Sequence, residues 1–116
     1  MNLKRGDIVL ANLEPSFGSE QGKIRPCIII QNDIANVHSP TTIIIPMTSA
    51  ISDKEYPTEA KILPGDSGLK ETSMALCNQI RTISVEDRIL KKLGSLKTEA
   101  MLKVNKALKT SLGLEE

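Results

Sequence analysis

The chain is 116 residues long, 40% hydrophobic and 25% charged, with a formal net charge of +1 and only 2% aromatic residues. These figures fit a single globular domain over residues 1–116 with a modest core. They exclude a protein that coats nucleic acid by bulk positive charge and one that stacks bases on a broad aromatic platform.

Residues 7–13 read as a short strand between Gly6 and Pro15, and a polar loop follows, Gly18-Ser19-Glu20-Gln21-Gly22. Glycines at both of its ends predict a mobile loop, because glycine reaches backbone angles that other residues avoid. The loop delivers Arg25 to the mouth of the apolar strand 27–30, and Pro26 biases Arg25 toward extended backbone. Residues 41–45 form the next strand, closed by Pro46, and residues 58–63 alternate before the turn Pro64-Gly65-Asp66. A fifth apolar run, Met74 to Cys77, lies within residues 73–83. Five short strands with turn signals between them predict a small barrel or sandwich, and the unbroken isoleucine runs predict strands covered on both faces.

From Thr98 the period changes. Met101, Val104, Leu108 and Leu112 recur at helical spacing with Ala100 and Ala107 beside them, while Lys103, Lys106 and Lys109 take the other side. This is an amphipathic helix, with Thr98 as the expected N-cap and Gly113 as the expected stop. The tail Gly113-Leu114-Glu115-Glu116 carries no signal of its own. No apolar run is long enough to span a bilayer, and the polar opening from Met1 to Asp7 is unlike a secretory leader, so a cytoplasmic location is expected. Cys27 and Cys77 lie inside apolar runs and read as buried free thiols.

The chemistry is narrowed by what the chain lacks. Its one histidine, His38, sits in the turn-rich stretch 36–40, its two cysteines have no second-ligand spacing, and its carboxylates are scattered. Neither a metal site nor a cofactor is therefore expected. A Gly-x-Ser-x-Gly elbow and a phosphate-binding P-loop are also absent. What remains is Arg25, the strand end Pro46-Met47-Thr48-Ser49, and Gln79-Ile80-Arg81-Thr82. Each puts a polar group at the rim of an apolar strand. Singly, each has a bland reading as a turn or a solvated edge; together they outline a site for a phosphodiester, which a guanidinium fork grips well.

The series Arg5-Gly6-Asp7-Ile8, Gly18 to Gly22, Arg25-Pro26, Gln31-Asn32-Asp33, Ser39-Pro40-Thr41, Met47-Thr48 and Gln79 to Ile83 closely resembles the MazF/PemK toxin family, and most of all the bacillus-type MazF endoribonucleases. The resemblance is collinear from the N-terminus through the last helix. It implies a small, partly open SH3-like β-barrel with helices, a homodimer, and metal-independent cleavage of single-stranded RNA at short motifs. The products implied are a 2′,3′-cyclic phosphate and a 5′-hydroxyl, and the partner implied is a cognate MazE-like antitoxin. Carried over by position, the catalytic pair falls on Arg25 and Thr48. Phe17, Ser19, Glu20, Gln21 and Gln79 fall where the family grips RNA or supports the site, with Asn32, Asn36 and Arg81 lining or backing the groove.

The physical reading agrees. The substrate's own 2′-hydroxyl is the nucleophile, so the enzyme need only align it with phosphorus, stabilise charge and help move two protons. Arg25 is suited to stabilising charge and donating a proton, because a guanidinium pKa above about 12 disfavours a role as base. Thr48 orients, and Glu20 is the candidate base. Two other classes stand against it: a toxin of the same fold that acts on DNA gyrase by protein contact, over which Arg25 with Thr48 favours the nuclease, and an inactive RNA-binding or transcription-regulating module, which no residue specifically supports.

Overall fold

The computed structural model describes residues 1–114; Glu115 and Glu116, the end of the tail noted above, lie outside the described residues. Seven strands make one antiparallel sheet: β1 (Asp7–Asn12), β2 (Ile24–Ile29), β3 (Thr41–Thr48), β4 (Glu59–Ile62), β5 (Ser73–Leu76), β6 (Arg81–Ser84) and β7 (Ile89–Ser95). Their order is β4-β5-β3-β2-β1-β7, with β6 also on β3, and the sheet does not close on itself. Three short helices, α1 (Asp33–His38), α2 (Pro64–Ser67) and α3 (Val85–Arg88), sit between strands, and α4 (Thr98–Leu112) ends the fold. This is the mainly β, partly open architecture with a C-terminal helix that the sequence implied. Among the described residues no helix is long and apolar enough to cross a membrane.

The unbroken apolar runs are explained by two cores. Successive side chains of a strand point to opposite faces, and both faces here are covered. Ile8, Ile28, Ile45 and Met47 pack with Ala60, Ile62 and Ala75 beneath Ala100, Val104, Ala107 and Leu108 of α4. Their neighbours Val9, Cys27, Ile29 and Ile44 pack on the other face against Leu3, Ile83 and Ile89. Cys27 and Cys77 are buried and free, and burial pushes both thiols up to about 12.

Several boundaries differ from the sequence reading, each for a local reason. β3 runs on through Pro46 to Thr48. Proline is tolerated there because β6 pairs with β3 only as far as Ile44 and β5 starts at Met47, so Pro46 falls in the gap between them. The expected fifth strand is two strands, β5 and β6, separated by residues 77–80. β7 went unread because its sequence, Ile-Leu-Lys-Lys-Leu-Gly-Ser, is largely exposed and pairs with β1 through two register shifts. Residues 33–38 form a helix where part of a loop was expected, capped by the Asn32 side chain on the Ala35 N–H at 2.8 Å; His38 is exposed in its last turn. The N-cap of α4 is Lys97 and not Thr98. Gly113 does end that helix, at φ +69°, as glycine at this position should. The α4 stripe is buried at Ala100, Val104, Ala107 and Leu108, but Leu112 is exposed.

Candidate active site

Arg25 and Thr48 come from neighbouring strands running in opposite directions. β2 and β3 pair with Cys27 opposite Pro46; continuing that register two residues brings Arg25 opposite Thr48, on the same face of the sheet. Both line one open hollow of about 580 Å³, together with Lys23, Ser49, Lys70, Glu71 and Ser73.

The Arg25 guanidinium is anchored. Its Nε donates to the Gly22 carbonyl at 2.8 Å and its Nη1 donates to the Met47 carbonyl at 3.4 Å. A guanidinium has five N–H donors, so most of its fork remains for a ligand. The Thr48 hydroxyl accepts the Ala50 N–H at 3.2 Å, which leaves its own proton to donate. The pair thus offers fixed positive charge and a hydroxyl proton within one hollow.

The loop between β1 and β2 is held more firmly than its glycines suggested. Glu20 accepts the Phe17 N–H at 2.7 Å. Gln79 clasps the loop twice: its Oε1 accepts the Gln21 N–H at 2.9 Å and its Nε2 donates to the Ser19 carbonyl at 3.2 Å. Arg81 Nη1 donates to the Leu13 carbonyl at 2.6 Å. Gly18 has a left-handed φ of +57°, whereas Gly22 is crowded: a Cβ there would meet Ser16 Oγ and Glu14 Oε1, and those side chains would have to shift. Ser19, Glu20, Gln21, Gln79 and Arg81 line a second hollow of about 430 Å³. The loop therefore has ligand-accessible groups on either side. Phe17 is 75% exposed and presents its ring to solvent.

Asn32 and Asn36 lie elsewhere. Asn32 caps α1. The Asn36 carbonyl oxygen accepts from Gln31 Nε2 at 3.0 Å and from the Thr42 hydroxyl at 2.8 Å, while its Nδ2 donates to the Gln31 carbonyl at 3.0 Å. Asn36 lines a separate hollow with Thr41 and Thr42. These residues are at the start of β3, and Thr48 is at its end, roughly 20 Å away at about 3.3 Å per residue. Lys70, Glu71 and Ser73, which carried no signal in the sequence, join Arg25 in this hollow only through the fold. The sequence reading also passed over Glu14 and Arg88, which act on the loop backbone. Among the described residues no three His, Cys, Asp or Glu side chains gather as a metal-binding set.

The family model for PemK-like, MazF-like toxins of type II toxin–antitoxin systems matches residues 4–112. The chain belongs to this family. It is 44% identical over 114 residues to the endoribonuclease EndoA of Bacillus subtilis, spanning 98% of this chain and 97% of that enzyme. Among solved structures, MazF of Deinococcus radiodurans superposes with a TM-score of 0.83 at 25% identity, covering 98% of this chain and 99% of that one. A mycobacterial endoribonuclease in complex with its cognate antitoxin has a TM-score of 0.79 at 24% identity and covers 98% of each chain. The anchored Arg25 and the Thr48 hydroxyl thus sit in a toxin fold.

Proposed function

We propose that this chain is the endoribonuclease toxin of a type II toxin–antitoxin system, cutting single-stranded RNA without a metal by making the 2′-hydroxyl attack the adjacent phosphorus. The products are a 2′,3′-cyclic phosphate and a 5′-hydroxyl. Family membership and the identity to EndoA support the toxin and endoribonuclease parts of this reading. Nothing in the relatives favours the gyrase-directed alternative. The observation that carries the mechanism is the pairing of an anchored guanidinium with a hydroxyl whose proton is free, in one open hollow.

In this reading the free face of Arg25 binds the non-bridging phosphate oxygens and stabilises the added negative charge as the pentacoordinate state forms. Thr48 donates to a phosphate oxygen or to the departing 5′-oxygen. Anchoring by Gly22 and Met47 matters because a preorganised donor does not have to reorient when charge develops. The Glu20 carboxylate already accepts the Phe17 N–H, so its support is first to the loop, and a role as base would use its second oxygen. Ser19, Gln21 and Gln79 beside the second hollow are suited to reading base edges of a neighbouring nucleotide, and the exposed Phe17 ring is suited to stacking on one. Dependence on a 2′-hydroxyl confines the activity to RNA.

The partner is a cognate antitoxin whose acidic segment competes for the cationic hollow around Arg25 and Lys23. A homodimer fits the exposed apolar side chains of Ile34 and Val37 on α1 and Leu102 and Leu112 on α4, which an isologous contact would cover. The deciding experiment incubates a long single-stranded RNA with the protein and with Arg25→Ala in EDTA, then maps the fragment ends. Discrete cuts with cyclic phosphate ends, lost in the variant, are expected. Cutting that requires added metal, or that survives in Arg25→Ala, would overturn the mechanism.

A further inference from the structure

Glu14 lies just after β1, outside the hollow that holds Arg25, yet its carboxylate organises the backbone on which Arg25 rests. Its Oε1 accepts the Lys23 N–H at 2.6 Å and the Ser16 hydroxyl at 3.1 Å. Lys23 has φ +64°, a left-handed conformation that a residue with a Cβ adopts only against a steric cost. The Glu14 bond on its N–H, together with the Leu13 N–H on its carbonyl at 2.9 Å, holds it there. The carboxylate also lies so close to Gly22 that a Cβ at that position would strike it. One residue is thus held left-handed and its neighbour crowded by the same carboxylate, with Ser16 beside it, and the Gly22 carbonyl receives Arg25 Nε.

Glu14 is itself strapped in place. Its N–H donates to Asn12 Oδ1 at 3.0 Å, and Arg88 Nη1, from α3, donates to the carbonyls of Glu14 at 2.6 Å and Asn12 at 3.1 Å. The connection runs from α3 through Glu14 and the Gly22–Lys23 backbone to the guanidinium. We propose that Glu14 is a positioning residue for Arg25, fixing the Lys23 turn and, through the Gly22 carbonyl, the direction in which the guanidinium faces the hollow. The inference rests on the reading of Arg25 as the group that binds the phosphodiester. The Glu14 carboxyl is held below its ordinary range chiefly by the Lys23 N–H and next by the Ser16 hydroxyl, in keeping with an ionised acceptor at this point.

Two measurements test it. Single-turnover cleavage of a short RNA at saturating enzyme, with RNA affinity measured separately, compares wild type, Glu14→Ala and Glu14→Gln. Losing a charge-assisted bond that orients the guanidinium should slow cleavage about ten- to a hundredfold, with affinity changed less than about threefold. Glutamine, which keeps one acceptor oxygen, should recover part of the rate, and both variants should melt within a few degrees of wild type because the side chain is exposed. The second measurement needs no RNA: the Arg25 Nε–H signal, followed by nuclear magnetic resonance, should exchange slowly in wild type and quickly in Glu14→Ala. Wild-type cleavage rate in Glu14→Ala, or an unchanged Nε–H signal, would overturn the proposal. Failure of the wild type to cut RNA would strike the reading of Arg25 instead, while the resonance would still report whether Glu14 orients it.

Discussion

Arg25→Lys separates charge from geometry at the centre of the site. Lysine keeps the positive charge but is a point donor, so it cannot hold the Gly22 carbonyl as Nε does at 2.8 Å and still present a planar fork. Removing one oriented donor from a developing oxyanion costs about 2.7–4 kcal/mol, or about 10²–10³ in rate. Stability should change far less. Two hydrogen bonds to carbonyls are lost, of which the Met47 contact is long at 3.4 Å, and Met47 lines an open hollow. A loss of about 1 kcal/mol, equivalent to a Tm drop of about 5 °C in a domain of this size, is the expected scale. The assay is single-turnover cleavage of a fluorophore–quencher RNA, with a thermal melt of the same preparation. A lysine variant within about threefold of wild type would refute the argument that the anchored fork, and not charge alone, drives cleavage.

Thr48→Val keeps the shape and removes the proton donor; cleavage should fall about a hundredfold while Thr48→Ser retains most of it, as single-turnover rates would show. Asn36→Ala should destabilise by about 1–3 kcal/mol in a urea melt, because it strips partners from Gln31 and from Thr42, which is 1% exposed. Cys27 and Cys77 should resist alkylation in the native protein at pH 8 and react only on unfolding, which mass spectrometry would follow. Their raised pKa values also fix the sign of an alkaline effect. The folded state keeps both protons up to about 12 while the unfolded thiols release theirs near 9.0. Stability is therefore complete below pH 9.0 and falls as pH climbs toward 12, at about 1.4 kcal/mol per pH unit for each thiol, and Cys27→Ala with Cys77→Ala should flatten that decline.

Much of the molecule is legible in its residue order. Isoleucine runs, Gly and Pro punctuation and a late switch to helical period specify strands followed by a covering helix, because burial and backbone sterics act locally and leave their pattern in the residue order. Arg25 before Pro26 and Thr48 after an apolar strand were likewise visible, since a strand-end polar group stands out from the core it borders. β7 was not legible: its lysines face water and only pairing with β1 makes it a strand.

The helix at residues 33–38 depended on a cap, and the role of Asn36 depended on Gln31 and Thr42 closing around it. The loop shows the division most clearly. From the sequence, two glycines around Ser-Glu-Gln meant mobility; in the fold Gln79 clasps the loop twice and the Glu14 and Ser16 side chains crowd Gly22. Composition and periodicity determined which residues were buried and which chemistry was available. Only the tertiary structure decided which polar groups meet, because Glu14, Gln79, Arg81 and Arg88 reach this loop across up to tens of residues of chain, and the distances between residues so far apart are set by strand register and not by their order.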